Sequence, residues 1–382
     1  MSNPYTGRVQ RLWRSTESQS PASTNAAPRP RGRLLALVAA LAFVAGACSG
    51  GGGGENAGLD EEYRPTPGER DVVIPGAAKL KLGATLAVPV DAKGASPAVL
   101  IIPGPGATNR DGPIVARPPD PLYKDLSGTL TGAGMVTLRY DHRGIGDSQL
   151  ETGQQLSWDD MVDDAREALK YLSERAEVDP NRMAVVGHDM GGVIAMKLAA
   201  SDDRVKGVAL ISTPGRPLVD VWAENYRFTH GPVAADAYRA MIDGLLTNGT
   251  LPARDVMRAE FQSLLPPNQD AFHKAMFSVD PANEAKAVKQ PVFMVTGERS
   301  TAVKPVDSER LSQNLAGRKE AIVAPNASSS LQQVLTAPVR PFDPLDMDSH
   351  GLGPPVAEAP REQTSVDKLV AFIAGTVGAR AA

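Results

Sequence analysis

The sequence predicts an α/β fold in which helices flank a doubly wound, mostly parallel sheet. Short, continuously apolar runs recur along the chain, as in "PAVLIIPG" (97–104) and "NRMAVVG" (181–187). Such runs are typical of parallel strands that are buried on both faces. Helical segments separate these runs, and alternation at this spacing favours a parallel sheet. The 382 residues, 42% of them hydrophobic, supply enough apolar surface for a sizeable core.

Eight strands are predicted in chain order. Two opening strands, at 71–75 and 80–89, are joined by a turn. The remaining six are the apolar runs at 97–104, 135–141, 181–187, 205–212, 290–297 and 319–325. A helix is expected after Ser157, which offers an N-cap with Asp160 three residues later. A further helix follows Asp189, and residues 365–377 form the last one.

One insertion interrupts the alternation after the sixth strand. Residues 214–288 contain no convincing strand and are predicted to form several short helices with Pro and Asn breaks. A helical cap over a site at the sheet edge is expected there, although an elaboration without a role fits the same pattern. The core is therefore divided into a first part at 63–213 and a second part at 289–382.

The N-terminal 47 residues are predicted to be a signal segment that is removed. An arginine-containing polar stretch precedes the apolar run at 34–47, which is short and ends in small residues. The run "VAGAC" ends at Cys48 and resembles the lipobox of bacterial lipoproteins, in which the cysteine is lipidated. Residues 48–62 are then a Gly-rich tether. A chance cysteine after an ordinary signal peptide is the alternative.

This resemblance implies a protein of the cell envelope, anchored through Cys48 to the outer face of the bacterial plasma membrane. The formal net charge of −4 does not favour nucleic-acid binding, which needs a basic face. No pattern in the sequence indicates a metal site, a nucleotide-binding loop or another cofactor, so none is expected.

The segment "VVGHDMGG" (185–192) is the strongest local signal for a functional site. Its glycines at 187, 191 and 192 have the spacing of a nucleophile elbow, a sharp turn from a strand into a helix. The central position, where that pattern has serine, holds Asp189. The N–H of Met190 is expected to face an oxyanion at the helix N-terminus. That helix terminus is also expected to keep Asp189 ionised.

Four segments together resemble the α/β-hydrolase family. They are the Gly-rich loop "IIPGPGATNRDG" (101–112), "YDHRGIGDS" (140–148), the elbow, and "DPANEAKAVKQPVFMVTGERSTAV" (280–303). The likeness is to bacterial capped esterases, dienelactone hydrolases and serine aminopeptidases. It implies an α/β-hydrolase fold, in which a serine, an acid and a histidine carry out ester hydrolysis.

Each of the three catalytic positions implied by this resemblance holds another residue type. Asp189 occupies the position of the nucleophile, Ser300 in "GERSTAV" that of the acid, and Ser329 in "PNASSSLQ" that of the histidine. In the Gly-rich loop, Pro105 has no N–H to donate, so Gly106 is the candidate second oxyanion donor.

Three functions remain open at this point. The first is a catalytically impaired hydrolase that binds a small apolar or ester-like ligand. The second is an active hydrolase in which Asp189 attacks an epoxide, as in epoxide hydrolases, His350 activates water, and Asp346 or Asp348 orients it. The third is an esterase with an unrecognised arrangement. Of the other histidines, His230 and His273 are expected at the surface of the cap.

Overall fold

An eight-stranded sheet organises the molecule. The computed structural model describes residues 68–104, 108–112, 120–151, 154–334 and 359–379. The strands are β1 (Glu69–Pro75), β2 (Lys81–Ala87), β3 (Ser96–Ile102), β4 (Val136–Tyr140), β5 (Val178–His188), β6 (Val205–Ile211), β7 (Val292–Gly297) and β8 (Lys319–Ala324). Their order across the sheet is β1-β2-β4-β3-β5-β6-β7-β8.

The sheet is mostly parallel, as the sequence predicts. Strands β1 and β2 pair antiparallel, β2 also pairs antiparallel with β4, and the pairs from β4 through β3 to β8 are parallel. The carboxyl ends of β3 and β5 to β8 therefore meet at one edge of the sheet. Ligands bind at this edge in open α/β sheets.

Helices cover both faces of this sheet. They are α1 (Leu122–Gly132), α2 (Trp158–Ser173), α3 (Met190–Ser201), α4 (Leu218–His230), α5 (Pro232–Asn248), α6 (Ala259–Leu264), α7 (Asp270–Phe277), α8 (Pro281–Ala285), α9 (Pro305–Asn314) and α10 (Gln363–Val377). Apolar residues of α2 and α3 form one core with alternate strand residues, and those of α1 and α10 form the other. Consecutive strand residues thus point into opposite cores.

Helix α2 shows how local sequence fixes an element. The Oγ of Ser157 accepts a hydrogen bond from the N–H of Asp160 at 3.3 Å and caps the helix, as predicted. The expected apolar stripe is buried against the sheet; its members are Met161, Ala165, Ala168, Leu169 and Leu172.

The loop at 141–148 is held by buried ionic contacts. Asp141 accepts hydrogen bonds from the backbone and the guanidinium of Arg110, each at 2.7 Å. Arg143 forms two hydrogen bonds with Asp164 on α2, at 2.7 and 2.8 Å. These bonds tie the sheet edge to α2, so this loop supports the fold.

The predicted insertion after β6 is helical, and α4 to α8 lie within it. It contacts the loop after β7, where Thr301 donates to the side chain of Asn225 on α4 at 3.3 Å. The signal segment, Cys48 and the tether lie outside the described residues, so the anchor stays a prediction. No helix in the described part of the chain is long and apolar enough to cross a membrane.

Candidate functional site

Asp189 lies in a strained turn between β5 and α3. Its backbone has φ 52° and ψ −125°, a region that non-glycine residues rarely adopt. The N–H of Asp189 donates to the carbonyl of Ile211 at the end of β6, 2.9 Å away, and this bond holds the turn against the neighbouring strand. Backbone strain of this kind clusters at functional sites. The elbow geometry is therefore present although its central residue is not serine.

The elbow glycines allow strand and helix to approach closely. A Cβ atom at Gly187 would lie 2.3 Å from the carbonyl oxygen of Gly191, and a Cβ at Gly192 would lie 1.9 Å from the Oγ1 of Thr213. Both distances are far shorter than van der Waals contact, so neither position has room for a side chain. The spacing of glycines in the sequence thus reports a real packing requirement.

Asp189 is half-buried at the N-terminus of α3. Burial raises the pKa of its carboxyl to about 7; a backbone hydrogen bond from Met190 opposes the rise, and the charge of Asp307 adds to it. The prediction that Asp189 stays ionised is wrong at neutral pH, because desolvation outweighs the favourable helix terminus. Both the neutral and the ionised form of Asp189 are therefore expected near pH 7.

Replacing Asp189 by asparagine is expected to stabilise the protein more at pH 8 than at pH 5. The folded-state pKa of Asp189, about 7, lies above its ordinary value of 3.8, so the folded state binds the proton more tightly. Its contribution to stability is present at low pH and is lost as the pH rises towards 7. Between pH 5 and pH 8 the difference should grow by about 3 kcal/mol. Urea unfolding of both proteins at each pH measures it, and a constant difference would contradict the raised pKa.

Asp307, at the start of α9, is the charged neighbour that acts on Asp189. Its buried carboxylate accepts hydrogen bonds from the backbone N–H groups of Gly215, Arg216 and Lys304, at 2.8 to 3.0 Å, and from the guanidinium of Arg216. Burial alone would raise the pKa of Asp307, but these hydrogen bonds lower it below its ordinary value. Asp307 is thus a fixed anion with no free lone pair for a proton-transfer role.

Ser300 and Ser329 lie in two loops that contact each other beyond the carboxyl ends of β7 and β8. The N–H of Arg299 donates to the carbonyl of Ala327 at 2.8 Å. Ser300 is buried, and its hydroxyl has no hydrogen-bond partner within the described part of the chain. Ser329 is half-buried, and its carbonyl accepts a hydrogen bond from His188. The structure therefore brings these two loops together at the edge that carries Asp189.

His188 and Tyr123 connect these loops to the start of the Gly-rich loop. The Oη of Tyr123 lies 2.8 Å from the N–H of Gly104 and 2.8 Å from the Nδ1 of His188. The Nε2 of the same imidazole lies 3.2 Å from the carbonyl of Ser329. Tyr123 was not identified from the sequence, because a buried tyrosine in the first turn of a helix carries no distinctive signal.

The remaining histidines do not supply a base to Asp189 where the structure describes them. His142 is buried and its Nε2 donates to the carbonyl of Pro103 at 2.8 Å. The prediction that His273 lies at the surface is wrong, because α7 buries it beside Phe277, and burial lowers its pKa to about 4. His230 is half-buried and stacks on Tyr226.

His350, Asp346 and Asp348 lie outside the described residues, as does Gly106, so their roles stay predictions. The oxyanion candidate Met190 begins α3, as expected. Within the described ranges, no group of three or more His, Cys, Asp or Glu side chains is arranged to hold a metal ion.

The sequence is similar to known hydrolases. Residues 121–247 match the family described as "Serine aminopeptidase, S33". Esterase EstD of Thermotoga maritima is 26% identical over 251 residues, which are 66% of this chain and 56% of EstD. An uncharacterised protein of Mycobacterium tuberculosis is 30% identical over 160 residues, which are 42% of this chain and 50% of that protein. The chain thus spans about half the length of these curated relatives.

Solved structures resemble the whole core. Est1E of Butyrivibrio proteoclasticus, in its complex with ferulic acid, superposes with a TM-score of 0.52 at 16% identity, over 80% of this chain and 99% of Est1E. A hypothetical protein of Pseudomonas aeruginosa gives a TM-score of 0.54 at 18% identity, over 83% and 97% of the two chains. Together with the strand order and the elbow, these similarities show that the chain has the α/β-hydrolase fold.

Proposed function

We propose that this protein binds a small apolar or ester-like ligand at Asp189 and does not hydrolyse esters. One observation carries the proposal: the elbow keeps its strained geometry, but the nucleophile and both supporting positions hold Asp189, Ser300 and Ser329. Ester hydrolysis needs a nucleophile and a base that accepts its proton, and loss of the base typically costs several orders of magnitude in rate. Neither serine can serve as that base at neutral pH.

The chemistry of Asp189 also argues against acyl transfer. Attack of a carboxylate on an ester would give an anhydride, and a carboxyl whose pKa is raised to about 7 is partly protonated at neutral pH, which weakens it as a nucleophile. A neutral carboxyl can instead donate a hydrogen bond to the carbonyl oxygen of a ligand, while its ionised form accepts one. The site therefore suits the recognition of a carbonyl-containing molecule.

The helical insertion after β6 supplies the wall of the proposed site that lies opposite the sheet edge. Arg216 donates to the carbonyl of Ala302, forms an ion pair with Asp307 and also contacts Glu224 on α4. This group of contacts joins α4 to the loop that carries Ser300. A ligand held between them would contact polar groups at the sheet edge and apolar side chains of the insertion.

The full chain in detergent is expected to show no turnover of p-nitrophenyl butyrate and no labelling by a fluorophosphonate, which reacts with activated serines. Turnover of styrene oxide is also expected to be absent. Ester turnover that Asp189→Ala abolishes would overturn the proposal. Epoxide turnover that Asp189→Asn abolishes would instead support the alternative in which Asp189 is the nucleophile, and His350→Gln would then test the base. Binding of butyrophenone, an uncleavable ketone analogue of phenyl butyrate, tests the binding role directly.

The second part of the proposal is that lipidation of Cys48 anchors the protein to the outer face of the plasma membrane. The sequence "VAGAC" followed by glycines supports it. Cells fed an alkyne-tagged palmitate are expected to label the wild-type chain, which should enter the detergent phase on Triton X-114 partitioning. Cys48→Ser should lose both properties and Ser49→Ala neither. Labelling that survives in Cys48→Ser would place the lipid elsewhere.

A further inference from the structure

We propose that Tyr123 and His188 are positioning residues, which together hold Gly104, the residue reached after β3, and the loop after β8 on the two sides of Asp189. This inference deepens the proposed function, since Gly104 and the loop after β8 would then border the ligand site. Its basis is a continuous series of three hydrogen bonds, from Gly104 through Tyr123 and His188 to Ser329.

The proton positions in this series follow from its two ends. A carbonyl oxygen can only accept, so the Nε2 of His188, which faces the carbonyl of Ser329, carries a hydrogen. The backbone N–H of Gly104 can only donate, so the Oη of Tyr123 accepts from it. The hydroxyl hydrogen of Tyr123 is then free to point at the Nδ1 of His188, which accepts it when the ring is neutral. One tautomer of His188 satisfies every polar atom in the series.

The two ends of this series of hydrogen bonds, Gly104 and Ser329, lie in the candidate site. Gly104 ends the segment that follows β3, and a Cβ atom added to it would lie 3.3 Å from the Cβ of Asp189. Ser329 occupies the position in which the resemblance predicts the catalytic histidine. His188 is the residue directly before Asp189, and its ring projects to the side of the sheet where α1 packs. The imidazole therefore acts as a spacer between two loops and does not reach Asp189 as a base.

The surroundings of His188 keep its ring neutral. Burial lowers its pKa to about 4; the nearby carboxylate of Asp120 opposes this effect, and the guanidinium of Arg361 adds to it. Asp120 and Arg361 form an ion pair at 2.6 Å, so their charges largely compensate each other. Arg361 also donates to the carbonyl of Ser330 at 2.9 Å and thereby fixes the loop after β8 from a second direction. On the other side of the series, burial raises the pKa of Tyr123; the backbone hydrogen bond from Gly104 opposes the rise, and the charge of Asp189 adds to it.

The first experiment does not require a ligand. The full chain in detergent, with its five histidines labelled with ¹⁵N, is expected to show His188 as the neutral Nε2–H tautomer down to about pH 4. In Tyr123→Phe the Nδ1 loses its donor, and the amide of Gly104 should exchange with solvent roughly tenfold faster, since one buried hydrogen bond is lost. Tyr171→Phe, at a half-buried tyrosine of α2, makes the same chemical change and should alter neither property. An Nδ1–H tautomer in the wild type, or unchanged exchange at Gly104 in Tyr123→Phe, would overturn the inference.

The second experiment separates this inference from the proposed function. Butyrophenone binding, followed by calorimetry, is expected to weaken roughly tenfold in both Tyr123→Phe and His188→Ala, because the loops lose their fixed spacing. Binding that stays at the wild-type level in both variants would overturn the positioning role. If the wild type itself does not bind the ketone, the proposed function fails, and the tautomer and the exchange at Gly104 still decide whether the two residues position the loops.

Discussion

Replacing Asp189 by serine, Ser300 by aspartate and Ser329 by histidine in one chain is expected to create ester hydrolysis. The strained backbone at position 189 would present the serine hydroxyl at the N-terminus of α3. The loops that carry positions 300 and 329 already contact each other, through the hydrogen bond from Arg299 to Ala327. A histidine oriented by an aspartate could therefore take the proton of the serine. The rate with p-nitrophenyl butyrate should exceed that of the wild type by about 10³-fold or more.

Two controls test whether the gain comes from a triad and not from the new serine alone. Asp189→Ser by itself should show little turnover, because no base accompanies it. The variant with Ser330→His in place of Ser329→His moves the imidazole by one residue, and it should also be nearly inactive. A fluorophosphonate should label the triple variant and neither control. A folded triple variant without turnover would show that the site lacks more than the three side chains.

The fold could be predicted from the sequence because its signals are local and redundant. Six apolar runs of strand length, separated by helical segments, predict a parallel sheet even before the order of its strands is known. The elbow was predictable for another reason: Gly187, Gly191 and Gly192 stand where backbone atoms or the side chain of Thr213 leave no room for a Cβ atom. A position without room for a Cβ atom requires glycine whether or not the site is catalytic, so this requirement can be recognised in the sequence.

The electrostatics of the site could not be predicted in the same way. The ionisation of Asp189 depends on how strongly burial opposes the helix terminus, and only the assembled structure gives that balance. Tyr123 reaches His188 from α1, 65 residues away in the sequence, so no local pattern relates the two. Asp307 acts on Asp189 from the start of α9 across an even larger gap in the sequence. The burial of His273 could not be predicted either, because the sequence of one short helix in the insertion does not show what packs on it.

Replacing Gly187 by alanine is expected to destabilise the protein by about 3 kcal/mol or more. The new Cβ atom would lie 2.3 Å from the carbonyl oxygen of Gly191 and 2.5 Å from the Cα of Gly192. Both are backbone atoms of α3, so relief requires the helix to move away from β5 and cannot come from a change of rotamer. A loss of this size is a large share of the total stability of a typical domain. Urea unfolding of the full chain in detergent measures it.

Gly128→Ala provides the matched control, because it makes the same chemical change on α1, where no atom lies within 4 Å of the added Cβ. It should leave stability unchanged or raise it by up to about 1 kcal/mol, since alanine favours the helix over glycine. Equal stability of the two variants would mean that α3 shifts at little cost. The elbow would then be a turn that deforms at little energetic cost, and close packing would not maintain the φ of 52° at Asp189. A large difference between them would show that close packing fixes the elbow independently of the residue at its centre. The strained turn can then form with aspartate in the position where the family pattern has serine.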